Sequence, residues 1–191
     1  MTAGASPSPE TVRIEALADT PTIRAALADL LIETVAAGGS VSFMHPLARA
    51  DAEAFWAGSL AAAGRGERVV FGAFVGDELV ATLTLLLACP PNQPHRAELA
   101  KMMTRVSKRG RGHAMALLRR AEAEATSRGK TLLMLDTASD EGAAGLYEKA
   151  GFLLGGEIPD YALKPHGGLT GTLFYWKRLP ASAEPGSTRK A

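Results

Sequence analysis

The sequence predicts a fold of the α/β (α+β) class, with about four helices around a mixed central sheet of about seven strands. Three observations support this prediction. Residues 68–75 and 78–88 are β-rich runs around a two-residue turn, Gly76-Asp77, which is typical of a β-hairpin. An apolar run at residues 131–135 follows a helical pattern, as the second strand of a β-α-β crossover does. Elsewhere, apolar residues recur at helical or strand spacing between glycines and prolines.

The same patterns place each element along the chain. Strands are predicted at residues 11–17, 68–75, 78–88, 98–106, 131–135, 152–158 and 170–179. Helices are predicted at residues 23–37, 46–63 and 114–125, and from a cap at Ser139 or Asp140 to Ala150, where Gly151 ends the helix. The order β-α-α-β-β-β-α-β-α-β-β joins an antiparallel first half to the crossover.

The length of 191 residues suits one domain. We expect it to span residues 11–179, between disordered tails at residues 1–10 and 180–191 that are rich in Ala, Ser, Pro and Gly. The chain has 21 basic and 20 acidic side chains, a balance that argues against binding of nucleic acid through many phosphates. It can still hold one phosphorylated cofactor with a few arginines.

Cysteine and histidine usage argues against a disulfide or a metal site. Cys89 is the only cysteine, and the four histidines are scattered. The first ten residues lack the apolar core of a signal peptide, and no apolar run is long enough to cross a bilayer. We therefore expect a cytoplasmic protein that acts without a metal or a membrane, as a monomer or a homodimer.

The segment Arg109-Gly110-Arg111-Gly112-His113-Ala114 follows a predicted strand and opens a predicted helix. The first turn of a helix has backbone N–H groups without internal partners, at the positive end of the dipole. The glycines allow a phosphate to approach this backbone closely, and the arginines add positive charge. The segment therefore predicts a pyrophosphate-binding loop.

Other interpretations of this segment fit less well or remain open. A P-loop needs Lys-Ser/Thr after its last glycine, and a dinucleotide-binding loop needs a third glycine where Met115 stands. A solvated surface turn, with glycines for flexibility, is the remaining alternative.

The segment also resembles the acyl-CoA signature of GNAT acetyltransferases, Arg-x-x-Gly-x-Gly/Ala, which Arg109, Gly112 and Ala114 match. Residues 140–152 are similar to the family's second motif, Asn-x-x-Ala…Leu-Tyr-x-Lys-x-Gly-Phe. The chain departs from the family at His113, where Ile or Leu is usual, and at Asp140, where Asn is usual. The resemblance covers nearly all of residues 11–179 and implies the GNAT acyl-CoA N-acyltransferase fold, with acetyl-CoA as the acetyl donor.

The resemblance also implies which residues contact acetyl-CoA. The backbone of Met102, Met103 and Thr104 is expected to hold the pantetheine arm, with Asp140 as a further contact. The pyrophosphate is expected at the loop of Arg109, Gly110, Arg111, Gly112, His113 and Ala114.

Acetyl transfer to an amine requires a base for the ammonium and an acid for the departing thiolate. The family motif implies that Tyr147 is the acid. Asp136 is the first candidate for the base, because it lies at the exit of a central strand. Glu98, on the strand that faces the cofactor, is the second. Core packing for Tyr147, a turn cap or amine contact for Asp136 and a surface position for Glu98 are the alternatives.

Residues 33–35, 96–98, 135–137 and 156–161 resemble matching segments of GNAT enzymes that acetylate the toxin tabtoxinine-β-lactam, in which the matching Asp and Tyr are the proposed catalytic pair. This resemblance implies a small amino-acid-like amine as acceptor and a role in toxin resistance. Glu33, Ser40 and Phe43 flank the Gly38-Gly39 break and are expected to contact the acceptor. A protein N-terminus, a lysine or a polyamine is an alternative acceptor, and a non-catalytic acyl-CoA-binding module is an alternative function.

Overall fold

The computed structural model describes residues 11–140 and 142–180. Its strands are β1 (Val12–Ala16), β2 (Arg68–Val75), β3 (Glu78–Leu86), β4 (Arg96–Thr104), β5 (Leu132–Ala138), β6 (Leu153–Leu163) and β7 (Leu169–Arg178). Its helices are α1 (Pro21–Ala36), α2 (Arg49–Gly64), α3 (His113–Ser127) and α4 (Ala144–Lys149), with a 3₁₀ turn at Val106–Lys108. The predicted tails lie outside the described residues, apart from Pro180.

The seven strands form one mixed sheet in the order β1-β2-β3-β4-β5-β7-β6. Strands β1 to β4 pair antiparallel with their neighbours, β4 pairs parallel with β5, and β5, β7 and β6 pair antiparallel. Helix α3 connects the two parallel strands, as the β-α-β pattern predicted. The predicted fold class and element order are therefore confirmed.

Local sequence signals explain where most elements begin and end. The hairpin of β2 and β3 turns at Gly76, whose φ of +57° is accessible to glycine at little cost. Helix α1 begins two residues before the predicted Ile23, because the Thr20 hydroxyl accepts a hydrogen bond from the Ile23 N–H at 3.2 Å and Pro21 occupies the first turn. Gly38, with a φ of +87°, follows the end of this helix.

Several predicted boundaries were wrong, including the end of β6, which lies at Leu163 rather than at residue 158. Helix α2 begins at Arg49 rather than residue 46, and β4 begins at Arg96, which pairs with Leu132 of β5. Helix α4 begins at Ala144 with Ala143 as its N-cap, so neither Ser139 nor Asp140 caps it. The chain reaches α4 later than predicted because β5 continues along β7 as far as Ala138.

Each face of the sheet has its own apolar core. Helix α3 contributes Leu117 and Leu118 to one core, which also contains Leu99 and Leu135 of the sheet. Helices α1 and α2 contribute Leu31 and Trp56 to the other core, with Met103 of β4. The long outer strand β6 is exposed along nearly its whole length.

The parallel strands β4 and β5 separate part-way along the sheet. Their ladder ends at the pair Leu99 and Leu135, although β4 continues to Thr104 and β5 to Ala138. At the same point β4 contains a bulge against β3, with one extra residue between Ala100 and Met103. The sheet therefore opens at its centre, next to the start of α3.

Candidate functional site

A cleft with a volume of about 930 Å³ occupies this opening. Its walls are the diverging ends of β4 and β5, the loop and first turn of α3, helix α4, and the segment that follows α1. A cleft at the carboxyl ends of parallel strands is the usual place for ligand binding in α/β sheets.

The start of α3 forms one wall of the cleft. Gly110 and Gly112 have φ angles of +74° and +84°, and Gly112 is the N-cap of the helix. A Cβ built at either glycine would meet no described atom within 4 Å, so this backbone faces open space. The first turn lacks acidic side chains, and Arg109 and Arg111 also line the cleft. This wall combines unpaired helix N–H groups with positive charge, which suits a phosphate group.

Glu33 of α1 holds the loop between β4 and α3 in place. Its two carboxylate oxygens accept hydrogen bonds from the Arg105 guanidinium at 2.8 Å and from the Val106 backbone N–H at 2.7 Å. Arg105 also donates to the Leu79 carbonyl at 2.9 Å and forms an ion pair with Glu78. Glu33 does not line the cleft, so the structure gives this predicted acceptor residue a positioning contact instead.

His113 is the first residue of α3 and is only 4% exposed. Neither ring nitrogen has a hydrogen-bond partner among the described residues. The side chain lines the cleft beside the open glycine backbone. A buried polar group without a hydrogen-bond partner is energetically costly, so this histidine is an unusual first residue for the helix.

Most of the predicted site residues line this one cleft. They are Met102, Met103, Thr104, Arg109, Gly110, Arg111, Gly112, His113 and Ala114 for the cofactor, Tyr147 and Asp136 for catalysis, and Ser40 for the acceptor. The other four, Glu33, Phe43, Glu98 and Asp140, are not among the lining residues.

Glu98 lies farther back along β4, where the strand is still paired with β5. Its carboxylate is 3.4 Å from the Arg96 guanidinium, which also contacts the sulfur of Met134. These contacts fix Glu98 outside the opening.

Asp140 and Phe43 also contact residues that do not line the cleft. The Asp140 carboxylate accepts a hydrogen bond from the Thr170 hydroxyl at 2.9 Å and pairs with Lys164. These two partners, Lys164 first, lower the pKa of Asp140. The Phe43 ring packs edge-on against Phe55 of α2, with 5.1 Å between the centroids.

Tyr147 and Asp136 enter the cleft from different elements. Tyr147, on α4, is 7% exposed, and its ring packs against Phe152 and Tyr175 at centroid distances of 6.2 and 5.7 Å. Burial and the neighbouring Glu148 raise the pKa of Tyr175. Asp136 is an exposed residue of β5, one position beyond the end of the ladder with β4. The cleft thus contains one buried phenol and one accessible carboxylate.

Sequence reasoning missed Lys101, which lines the cleft at the bulge of β4. Its φ is +51°, an uncommon value for a residue with a side chain. Burial lowers the pKa of Lys101, and the charge of Asp136 partly opposes this effect. A lysine in a strand pattern is normally a solvated residue, so the sequence offered no signal for this one.

Two kinds of site are not found within the described residues. They contain no group of three or more His, Cys, Asp or Glu side chains placed to hold a metal ion. None of the described helices is long and apolar enough to span a membrane.

Residues 32–152 match the model of the acetyltransferase (GNAT) family. The chain belongs to this family. GNAT enzymes use acetyl-CoA and acetylate small-molecule or peptide amines, so this chain is an N-acetyltransferase of the GNAT type. All of the residues that line the cleft lie within the matched range.

Solved structures of GNAT proteins have the same fold. An N-acetyltransferase from Staphylococcus aureus Mu50 is 19% identical, with a TM-score of 0.76 over 89% of this chain and 99% of that one. A ribosomal-protein-alanine N-acetyltransferase from Brucella melitensis is 22% identical, with a TM-score of 0.75 over 87% and 99%. The yncA protein from Salmonella typhimurium, solved with its cofactor acetyl-CoA, is 16% identical, with a TM-score of 0.73 over 93% and 99%.

The Glu33 contact predicts a local effect on the loop before α3. Replacing Glu33 with Ala removes the acceptor of the Val106 N–H, so hydrogen exchange at that amide should accelerate by about ten- to a hundredfold, as expected for loss of a charge-assisted hydrogen bond. Amide exchange followed by NMR measures this effect. Glu53→Ala, which removes an exposed glutamate of α2, is the control. An unchanged rate at Val106 in Glu33→Ala would show that Glu33 does not hold the loop.

Proposed function

We propose that this GNAT enzyme transfers the acetyl group of acetyl-CoA to the primary amine of a small amino-acid-like molecule. The observation that carries the proposal is the single cleft in which a phosphate-suited helix start, a buried phenol and an accessible carboxylate are combined. Acetyl-CoA supplies an acetyl group activated as a thioester.

The residues present fit acetyl-CoA. The pyrophosphate fits the wall formed by Arg109, Gly110, Arg111, Gly112, His113 and Ala114. The backbone of this wall is open at its glycines, and its arginine side chains are positively charged. Beyond Leu99, β4 has no ladder with β5, so backbone groups of Met102, Met103 and Thr104 can bind the amides of the pantetheine arm. Asp140 is not included, because its carboxylate already has partners outside the cleft.

Tyr147 is proposed as the general acid that gives its phenol proton to the departing sulfur. Its phenol lies in the cleft, and its ring is held by two aromatic neighbours. A fixed ring keeps the hydroxyl in one place, which proton transfer over hydrogen-bond distance requires.

Asp136 is proposed as the general base that removes the proton of the acceptor's ammonium group, directly or through water. It is an exposed carboxylate in the cleft, whereas Glu98 lies outside and faces Arg96. Geometry therefore favours Asp136 over Glu98.

Two features favour a small amino-acid-like acceptor, a resemblance to other GNAT enzymes and the small residues on one side of the cleft. Resemblance to toxin-acetylating GNAT enzymes favours a compound such as tabtoxinine-β-lactam and a role in toxin resistance. Residues 37–42, which include Ser40, line the proposed acceptor side of the cleft, and their side chains are small. A peptide N-terminus is the second candidate, because the Brucella structure is named for acetylation of a ribosomal-protein alanine.

Thiol release tests the proposed activity. The protein is incubated with acetyl-CoA and an amine panel containing tabtoxinine-β-lactam, free amino acids, polyamines and peptides with N-terminal alanine. We expect turnover with amino-acid-like amines above the rate of hydrolysis without acceptor. Tight binding of CoA with no turnover on any amine would favour a non-catalytic acyl-CoA-binding module. Preference for the peptides would favour the second candidate.

The helix start predicts the effect of a side chain at Gly112. Gly112→Val should weaken CoA binding about tenfold or more, because the new side chain fills the space that a phosphate needs. Isothermal titration calorimetry with CoA measures this change. Gly66→Val is the matched control, since Gly66 also has a positive φ, of +77°, and open space but lies outside the cleft. Equal affinity in the Gly112 variant and the wild type would place the pyrophosphate elsewhere.

The acid role of Tyr147 predicts a loss confined to catalysis. Tyr147→Phe should lower kcat about a hundredfold, as is typical for loss of a general acid, while the Kd for CoA changes little. Steady-state kinetics and calorimetry give the two numbers. Tyr161→Phe, at an exposed tyrosine of β6, is the control. A parallel loss of CoA affinity and kcat in Tyr147→Phe would instead indicate a packing role.

A further inference from the structure

Lys101 and Ser42 share an unusual backbone geometry. They are two of the three described non-glycine residues with positive φ, at +51° and +71°. Their side chains meet, since the Lys101 ammonium donates a hydrogen bond to the Ser42 hydroxyl at 2.9 Å. Such conformations are energetically costly for residues with a side chain, and they concentrate at functional sites. Both residues line the cleft.

Two aromatic rings and one carboxylate lie near the Lys101 ammonium group. The ammonium nitrogen lies 5.9 and 5.8 Å from the ring centroids of Phe43 and Phe55, within cation–π range. Burial lowers the pKa of Lys101, and the opposite charge of Asp136 partly offsets this effect. An ammonium group has three N–H donors, so Lys101 retains capacity for an acceptor in addition to Ser42.

Lys101 is on the acceptor side of the cleft rather than the phosphate side. Its neighbours Ser42, Phe43 and Phe55 belong to the segment after α1 and to α2, which cover the face opposite α3. The arginines of the loop before α3 form the other positive wall. The cleft therefore presents a cation and a carboxylate, Lys101 and Asp136, where the acceptor is proposed to bind.

We propose that Lys101 binds a carboxylate of the acceptor while Asp136 receives its amine, so that the substrate class is amines with a nearby carboxylate. This inference rests on the proposed function. A lysine and an aspartate on the neighbouring strands β4 and β5 match both charges of an amino acid. The same lysine repels polyamines, whose second cation would lie close to it.

Matched acceptor pairs test the inference. Each pair is one amine supplied as the free acid and as its primary carboxamide, beginning with the acceptor that gives the fastest thiol release. For the wild type, kcat/KM should be about tenfold or more higher for the acid, as expected for a charged hydrogen bond. Lys101→Met keeps the apolar stem and should remove the preference by raising KM for the acid alone. Lys101→Arg should retain it, and Lys164→Met, at an exposed lysine outside the cleft, should behave as the wild type.

The outcomes separate this inference from the proposed function. Thiol release with equal kcat/KM for acid and carboxamide would overturn the role of Lys101 but leave the acetyltransferase proposal intact. An absence of thiol release with every amine would overturn both. If Lys101→Met lowers kcat equally for both members and shifts the pH profile, Lys101 acts as a base and the inference is wrong. A preference that persists in Lys101→Met would assign the carboxylate to another group.

Discussion

The separation of β4 from β5 is the constraint on which the cleft depends. Parallel strands that stayed paired to their ends would bring the sheet's hydrogen bonds up to the start of α3 and leave no opening. The ladder ends at Leu99 and Leu135, where the bulge turns β4 away. Unpaired backbone, the exposed carboxylate of Asp136 and the helix start then face the same space. The bulge is thus part of the site as well as of the sheet.

The loop before α3 shows how the two halves of the molecule support one binding surface. Its glycines make the backbone accessible, but glycines alone also make a loop flexible. Glu33 compensates by binding both a side chain and a backbone N–H at the start of this loop, from a helix on the opposite face of the sheet. The open surface proposed for a phosphate is therefore held by a carboxylate that does not line the cleft.

Local patterns predicted most of the fold. The hairpin, the helix stops and the glycine-rich helix start depend on residues close together in sequence, and the structure has them where the pattern indicated. The fourth helix was misplaced because the end of β5 depends on pairing with β7, which begins some thirty residues later in the chain. The signals for β-pairing over such distances are not local.

The site residues were likewise predictable where their neighbours in space are also their neighbours in sequence. The predicted cofactor wall from Arg109 to Ala114 is one continuous segment, so its members necessarily lie together. Glu33 and Asp140 have partners that are distant in sequence, Arg105 and Lys164, and nothing near either acidic residue reveals these pairs. Lys101 could not be found from its residue type, because its position depends on a bulge that only the paired strands display.

The backbone of Lys101 also has a consequence for protein engineering. Glycine adopts a φ of +51° at less cost than lysine, so substitution by glycine relieves a local penalty of roughly 1–2 kcal/mol while removing the ammonium group. Stabilised variants of this enzyme should therefore be chosen with position 101 held fixed, since a substitution there removes a charged side chain that lines the cleft.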